Sequence, residues 1–286
     1  AGNMLRQAEL FEQIEEKDAH LLGEMSKRRN AILDYELKVA PASDDPRDHK
    51  IAEFVDQWIK GLSDIEDILV SMQESVGKGY AAFEIDWDVS EGQAIPQGFE
   101  FLPHKRFSFI DPRGIVRRTP LLLTDRSPMG EEIPPWKVMF HCYGGKSGHP
   151  TRSGIYRVCC WMFLFKNYSL KDWVTFCEVY GMPLRLGRYD PGASQEDRDA
   201  LVQAFSSLGT DAAGVISKST EIEFIEGIKG AASGTVYENL VAFCNHEISK
   251  AILGQTLSAE VGERGSYAAS KTHNEVRKDL ERADAR

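Results

Sequence analysis

The run VCCWMFLFKNYSLKDWVTFCEVYG, residues 158–181, sets the strongest limit on the fold. Its longest uncharged piece, 158–165, is far shorter than the roughly 18 to 20 residues a helix needs to cross hydrocarbon. Lys166, Lys171 and Asp172 interrupt the remainder of the run, so no membrane is expected. Val158, Met162, Phe165, Ser169, Trp173, Phe176 and Tyr180 recur at spacings of three and four, which predicts one helix over 153–180. At 1.5 Å per residue it is roughly 40 Å long. Its first half is also apolar off that stripe, at Trp161, Phe163 and Leu164. A helix that is apolar all round must be covered from more than one side, and another copy of the chain is a candidate second cover.

The remaining pattern is that of an α+β protein. With 42% hydrophobic and 27% charged residues, a packed core is expected rather than disorder. Residues 4–29 read as a helix. Leu33, Tyr35, Leu37 and Val39 alternate as in a half-buried strand, and Ile51, Phe54, Val55, Trp58 and Ile59 share one helical face that ends at Gly61. Ser63 and Glu66 have capping-box spacing before Leu62, Ile65, Leu69, Met72 and Val76, which predicts an amphipathic helix of about 25 Å. From Tyr80 the period becomes two: Ala81, Phe83, Ile85 and Trp87 alternate with Glu84, Asp86 and Asp88. Short strand-like runs come next (FEFL, RFSFI, LLLT, KVMFHC), separated by turn residues, so 80–143 is expected to be a small antiparallel β module. Beyond the long helix come strand-like PLRLGRY, a helix over 194–208, strand-like AGVIS and EIEFIE, and a helix over 235–253. The polar loop GQTLSAEVGERGSY and a last helix complete the chain. The first residue is not Met and the last helical pattern carries no stop signal, so the sequence reads as a fragment.

Charge and candidate motifs narrow the chemistry. The net charge is −10, with the acid excess concentrated in 1–79 and residues 80–152 close to neutral. A protein that grips nucleic acid carries the opposite sign, because neutralised phosphates supply its affinity. The five cysteines show no CxxC and no secretory signal precedes them, which fits a reducing cytoplasm. Cys159 and Cys160 are adjacent and point to different faces, so they are expected to pack rather than to bind metal. GGKSG resembles part of a phosphate-cradling loop, but Phe140 stands where that motif needs Gly, and Pro150 opposes a helix starting at Lys146. His141, Cys142 and His149 lack zinc spacing. Glu84, Asp86 and Asp88 could line one strand face and hold Mg²⁺ for a nuclease, or be the solvated face of an amphipathic strand. No cofactor, no metal and no catalytic residue is expected on the main reading.

At SLKDWVTFCEVYGMPLRLGRYDPGAS, continued by DAAGVISKSTEIEFIEG, the chain resembles the portal proteins of Mu-like phages and prophages. The likeness covers nearly all 286 residues. It implies the phage portal fold and a ring, usually of twelve subunits, at one vertex of the capsid. It divides the chain into an N-terminal wing part (1–60), a stem helix (61–79), a β-rich clip (80–152), a second stem helix (153–181) and a second wing part (182–233). Residues 234–286 become the tunnel helix, the tunnel loop and the start of the crown. Implied partners are other copies of the chain, the terminase large subunit, head-tail joining or neck proteins, capsid protein, and double-stranded DNA passing non-specifically through the channel. Implied location is the virion, with assembly in the host cytoplasm. On this mapping Trp161, Phe163 and Leu164 are candidates for subunit contact. Arg113, Arg117 and Arg118, near the DPRG turn, are candidates for partner docking. Glu260, Val261, Gly262, Glu263, Arg264, Gly265 and Ser266 are candidates for the DNA channel. The alternatives are a metal-dependent nuclease or another capsid or adaptor protein.

Overall fold

A computed structural model describes residues 4–90, 92–144, 146, 148–181, 185–207, 213–217, 232–255 and 277–285. It contains two units, Ala1–Phe163 with Asn245–Arg286, and Leu164–Cys244.

The first unit opens with two helices, α1 (Leu5–Lys17) and α2 (Ala19–Asn30), where periodicity suggests one. Asp18 makes the break. Its extended backbone leaves the helix, and its carboxylate accepts from the N–H groups of His20 and Leu21, both at 3.1 Å, capping α2. A 3₁₀ turn at Ala31–Asp34 comes next, and no strand forms over 33–39 among the described residues; Leu33, Tyr35 and Leu37 are exposed. α3 (Pro46–Gly61) starts with Pro at its first turn and Asp45 as cap. The helix expected over 62–76 is instead α4 (Ile65–Met72) and α5 (Glu74–Lys78), interrupted at Gln73. No side-chain cap bond forms at the start of α4, so the capping box of Ser63 and Glu66 is not made. α5 ends on Gly79, whose φ of 102° is the left-handed conformation that glycine adopts without a Cβ clash.

That turn launches β1 (Tyr80–Asp88), which pairs antiparallel with β2 (Ile95–Phe101) on one side and β6 (Val138–Cys142) on the other. A second antiparallel sheet places β4 (Val116–Leu122) between β3 (Phe107–Ile110) and the short β5 (Glu131–Glu132). Tyr80 and Ala82 join Met4, Leu102, Phe107 and Phe109 in one core cluster, while Ala81 and Phe83 pack with Ile68 in another. The first half of β1 is therefore covered on both faces, and the alternation seen in the sequence holds only in its distal half.

A third cluster joins Phe11, Ile14, Leu21, Met25, Val76, Tyr156, Cys159, Ile248, Ile252 and Leu253. It gathers α1, α2 and α5 around the start of α6 (Tyr156–Gly181) and the end of α8 (Ala232–Leu253). The expected long helix is present as α6, but its buried side differs from the expected stripe. Of that stripe Ser169 is buried but Val158 and Phe165 are exposed, while Tyr156 and Cys159, which lie off it, are buried. In the second unit β7 (Arg185–Tyr189) and β8 (Ala213–Ser217) pair in parallel, joined by a crossover containing α7 (Gln195–Ser207). Trp173 stacks on Tyr237 with ring centroids 6.5 Å apart. The run EIEFIE lies outside the described residues. Residues 277–284 are helical.

Candidate functional site

The N-terminal half of α6 carries an exposed apolar face. Val158, Trp161, Leu164, Phe165 and Tyr168 stand at helical spacing, and all are exposed, Trp161 at 61% and Leu164 at 41%. Phe163 turns the other way and packs against the core cluster of α1, α2 and α8. Of the three stem candidates, Trp161 and Leu164 thus share the open face and Phe163 serves the fold. Large exposed apolar patches are found where proteins contact other macromolecules.

The start of α6 is held by a largely buried charge cluster. Tyr156 donates its hydroxyl to Glu15 at 2.6 Å; Glu15 also binds Lys78 at 2.8 Å and pairs with Arg29. Glu74 closes the network by pairing with Lys78 and by binding Arg29 at 2.8 Å. Burial alone would push the Glu15 carboxyl up, but Lys78 and Arg29 outweigh it and hold it below the ordinary carboxylate range. Burial pushes the Tyr156 hydroxyl up, and Glu15 adds to it, so this phenol remains a donor. A second anchor is Arg28, which forks onto Asp284 at 2.6 and 2.9 Å and donates to the Ile252 carbonyl and the Tyr143 hydroxyl. Sequence reasoning did not find these residues. Glu15, Glu74 and Tyr156 are too far apart in the chain for any spacing rule to join them, and each by itself looks like an ordinary surface residue.

In the β module, Arg113 binds Asp111 at 2.8 Å and Arg117 forks onto Glu132 at 2.6 and 3.1 Å. Their charges are answered within the module. Among the described residues, Arg118 reaches only the Gly148 carbonyl, at 3.4 Å. Glu84 pairs with Lys137 at 2.6 Å and Asp88 accepts from Ser90 at 2.9 Å. Among the described residues no group of three or more His, Cys, Asp or Glu side chains is arranged to hold a metal ion. Likewise no helix there is long and apolar enough to cross a membrane. Cys159 is buried in the core, and burial pushes its thiol up to about 12, where it is inert as a nucleophile. The seven residues 260–266 lie outside the described residues.

Comparison with known proteins supplies a family. The one described as "Portal protein of Mu bacteriophage" matches residues 8–286. The Mu-like prophage FluMu protein gp29 of Haemophilus influenzae is 33% identical over 290 residues, covering 99% of this chain and 54% of that protein. The portal protein of Escherichia phage Mu is 32% identical over 284 residues, with the same 99% and 54% coverage. The chain thus spans about half the length of the curated relatives it matches. Among solved structures, a chain in the virion of a native gene transfer agent particle aligns with a TM-score of 0.58 at 10% identity, over 95% of this chain and 74% of that one. A chain in the neck of an empty particle of that kind gives 0.53 at 11%, over 93% and 75%. At such identities the likeness is one of fold.

Proposed function

Because the chain belongs to the family of Mu bacteriophage portal proteins, we propose that it is a structural subunit of the portal vertex, building a ring through which double-stranded DNA enters and leaves the phage head. The exposed apolar stripe of α6 carries this reading, since a ring must cover on each subunit a surface that the single chain leaves open. Residues 153–181 and 61–79 act as the stem, with Trp161 and Leu164 against the neighbouring copy. Residues 80–152 act as the clip, which docks the terminase large subunit during packaging and neck proteins afterwards, with Arg118 the best placed of the three arginines to meet a partner. Residues 1–60 and 182–233 form the wing, and 234–286 carry the tunnel helix and a loop, 260–266, that borders the DNA. Twelve copies make the ring, capsid protein surrounds it, and assembly takes place in the host cytoplasm. The role is mechanical and not catalytic. A charge of −10 per chain supports the channel assignment, because a negative wall lets DNA slide where a basic wall would hold it.

Negative-stain imaging of the purified chain tests the proposal. Rings with a central hole are expected, and Trp161→Glu should convert them to monomer by light scattering while far-ultraviolet circular dichroism stays unchanged. Monomer alone at every concentration, or Mg²⁺-dependent DNA cutting abolished by Glu84→Ala, would overturn it.

A further inference from the structure

An open cleft of about 580 Å³ lies where the first turn of α6 meets the end of α8, and its lining includes Arg28, Tyr143, Lys146, Arg152, Arg157 and Lys250. No aspartate or glutamate is among the described residues that line it. Asp284 answers Arg28, and Glu247 answers Lys250. Lys146, Arg152 and Arg157 form no ion pair with any described residue. All three are exposed residues. In a chain with 44 acidic residues against 34 basic ones, three cations around one cleft with no ion pair among the described residues are a departure from the average surface. They repel one another unless an anion stands between them.

α6 has no acidic side chain in its first turn, and the N–H of Ile155, just before it, is bonded to the Val76 carbonyl at the end of α5, 3.0 Å away. The Tyr143 hydroxyl, 3.2 Å from Arg28 Nη2, accepts from that guanidinium and keeps its own proton available to donate. Lys146 is the lysine of the GGKSG run, so that loop presents its cation to a cleft although it lacks the spacing of a nucleotide-binding loop.

We infer that this cleft binds a phosphate group, held by Lys146, Arg152 and Arg157. Phosphate suits the site better than a single carboxylate does. It carries more charge and presents three or more acceptor oxygens, enough for two guanidinium forks and an ammonium together. The group could come from a free phosphate compound or from the backbone of DNA, and the chemistry is shared.

The test uses the purified chain with two probes, pyrophosphate by titration calorimetry and a short labelled DNA duplex by fluorescence anisotropy. Saturable binding of at least one probe is expected, weakened about tenfold or more by Arg152→Glu combined with Arg157→Glu, and unaltered by Arg47→Glu on α3. For the duplex, losing two phosphate contacts should lower the salt slope by about 2. Displacement of the duplex by pyrophosphate identifies the DNA backbone as a source; binding of pyrophosphate alone identifies a free phosphate compound. The proposal fails if neither probe saturates, if the double variant binds as tightly as the parent with its circular dichroism intact, or if polyglutamate binds while both probes do not.

Discussion

The carbonyl oxygen of Gly77 lies 2.4 Å from where a β-carbon on Gly154 would stand, so the end of α5 and the approach to α6 meet through bare backbone. The neighbouring atoms at that position, Lys78 C and Gly79 N, are also backbone and cannot swing aside. Gly154→Ala should therefore cost about 3 kcal/mol in urea unfolding, the upper range for overpacking. Gly23→Ala in α2, where nothing lies within 4 Å, should instead gain about 0.5 to 1 kcal/mol.

Glu15 joins two cations and a tyrosine in one largely buried cluster, and removing its charge leaves Lys78 and Arg29 to share Glu74 among the described residues. Glu15→Gln should destabilise the chain by about 3 kcal/mol at neutral pH. Since the folded carboxyl sits below its ordinary value of 4.5, its contribution is present above that value and is lost as pH falls through the folded one. Below about pH 4.5 the parent should lose stability more steeply than the variant in denaturation series across acid pH.

His104 Nε2 lies 2.6 Å from the Tyr80 carbonyl, to which it must donate, while the Tyr80 hydroxyl donates to the His104 carbonyl at 3.2 Å. Burial, followed by the charge of Lys78, holds the ring below its ordinary value of 6.5, so it folds neutral. The unfolded chain takes up this proton near 6.5 and the folded chain does not, so stability falls as pH drops through that value. His104→Gln should flatten the stability profile between about pH 7 and 5, read by chemical denaturation. An unchanged slope would assign the pH dependence to other groups.

Phe163 and Leu164 are adjacent, yet only Phe163 packs against the core. Phe163→Ala should lower unfolding stability by about 3 kcal/mol or more. Leu164→Glu should leave the melting curve of the isolated chain nearly unaltered and act on sedimentation, by reducing the assembled fraction. Equal effects of both on folding would remove Leu164 from the contact.

Local chemistry in the sequence was enough for several elements. The apolar face from Ile51 to Ile59 places α3, the period of two from Tyr80 places β1, and the three-and-four spacing from Val158 onward places α6 as a helix. Family membership was legible too, in the segments around 169–226. Which face of α6 is buried was not legible. Aromatic and aliphatic residues stand all round its first half, so apolarity has no direction there, and the packing partners from α1, α2 and α8 select Tyr156, Cys159 and Phe163. The division of the first helix at Asp18 is similar in kind, because Asp is tolerated on a helix surface and caps one only where the chain must turn. The bond between Glu15 and Tyr156 spans 141 positions, and the cations of the α6 cleft come from α2, the loop after β6, the turn before α6, the first turn of α6 itself and the end of α8. No periodicity or spacing connects such residues. Tertiary structure decides them, because packing distant elements onto one core brings their charged side chains together, and in the largely buried cluster of Glu15 each charge takes the place of water for the other.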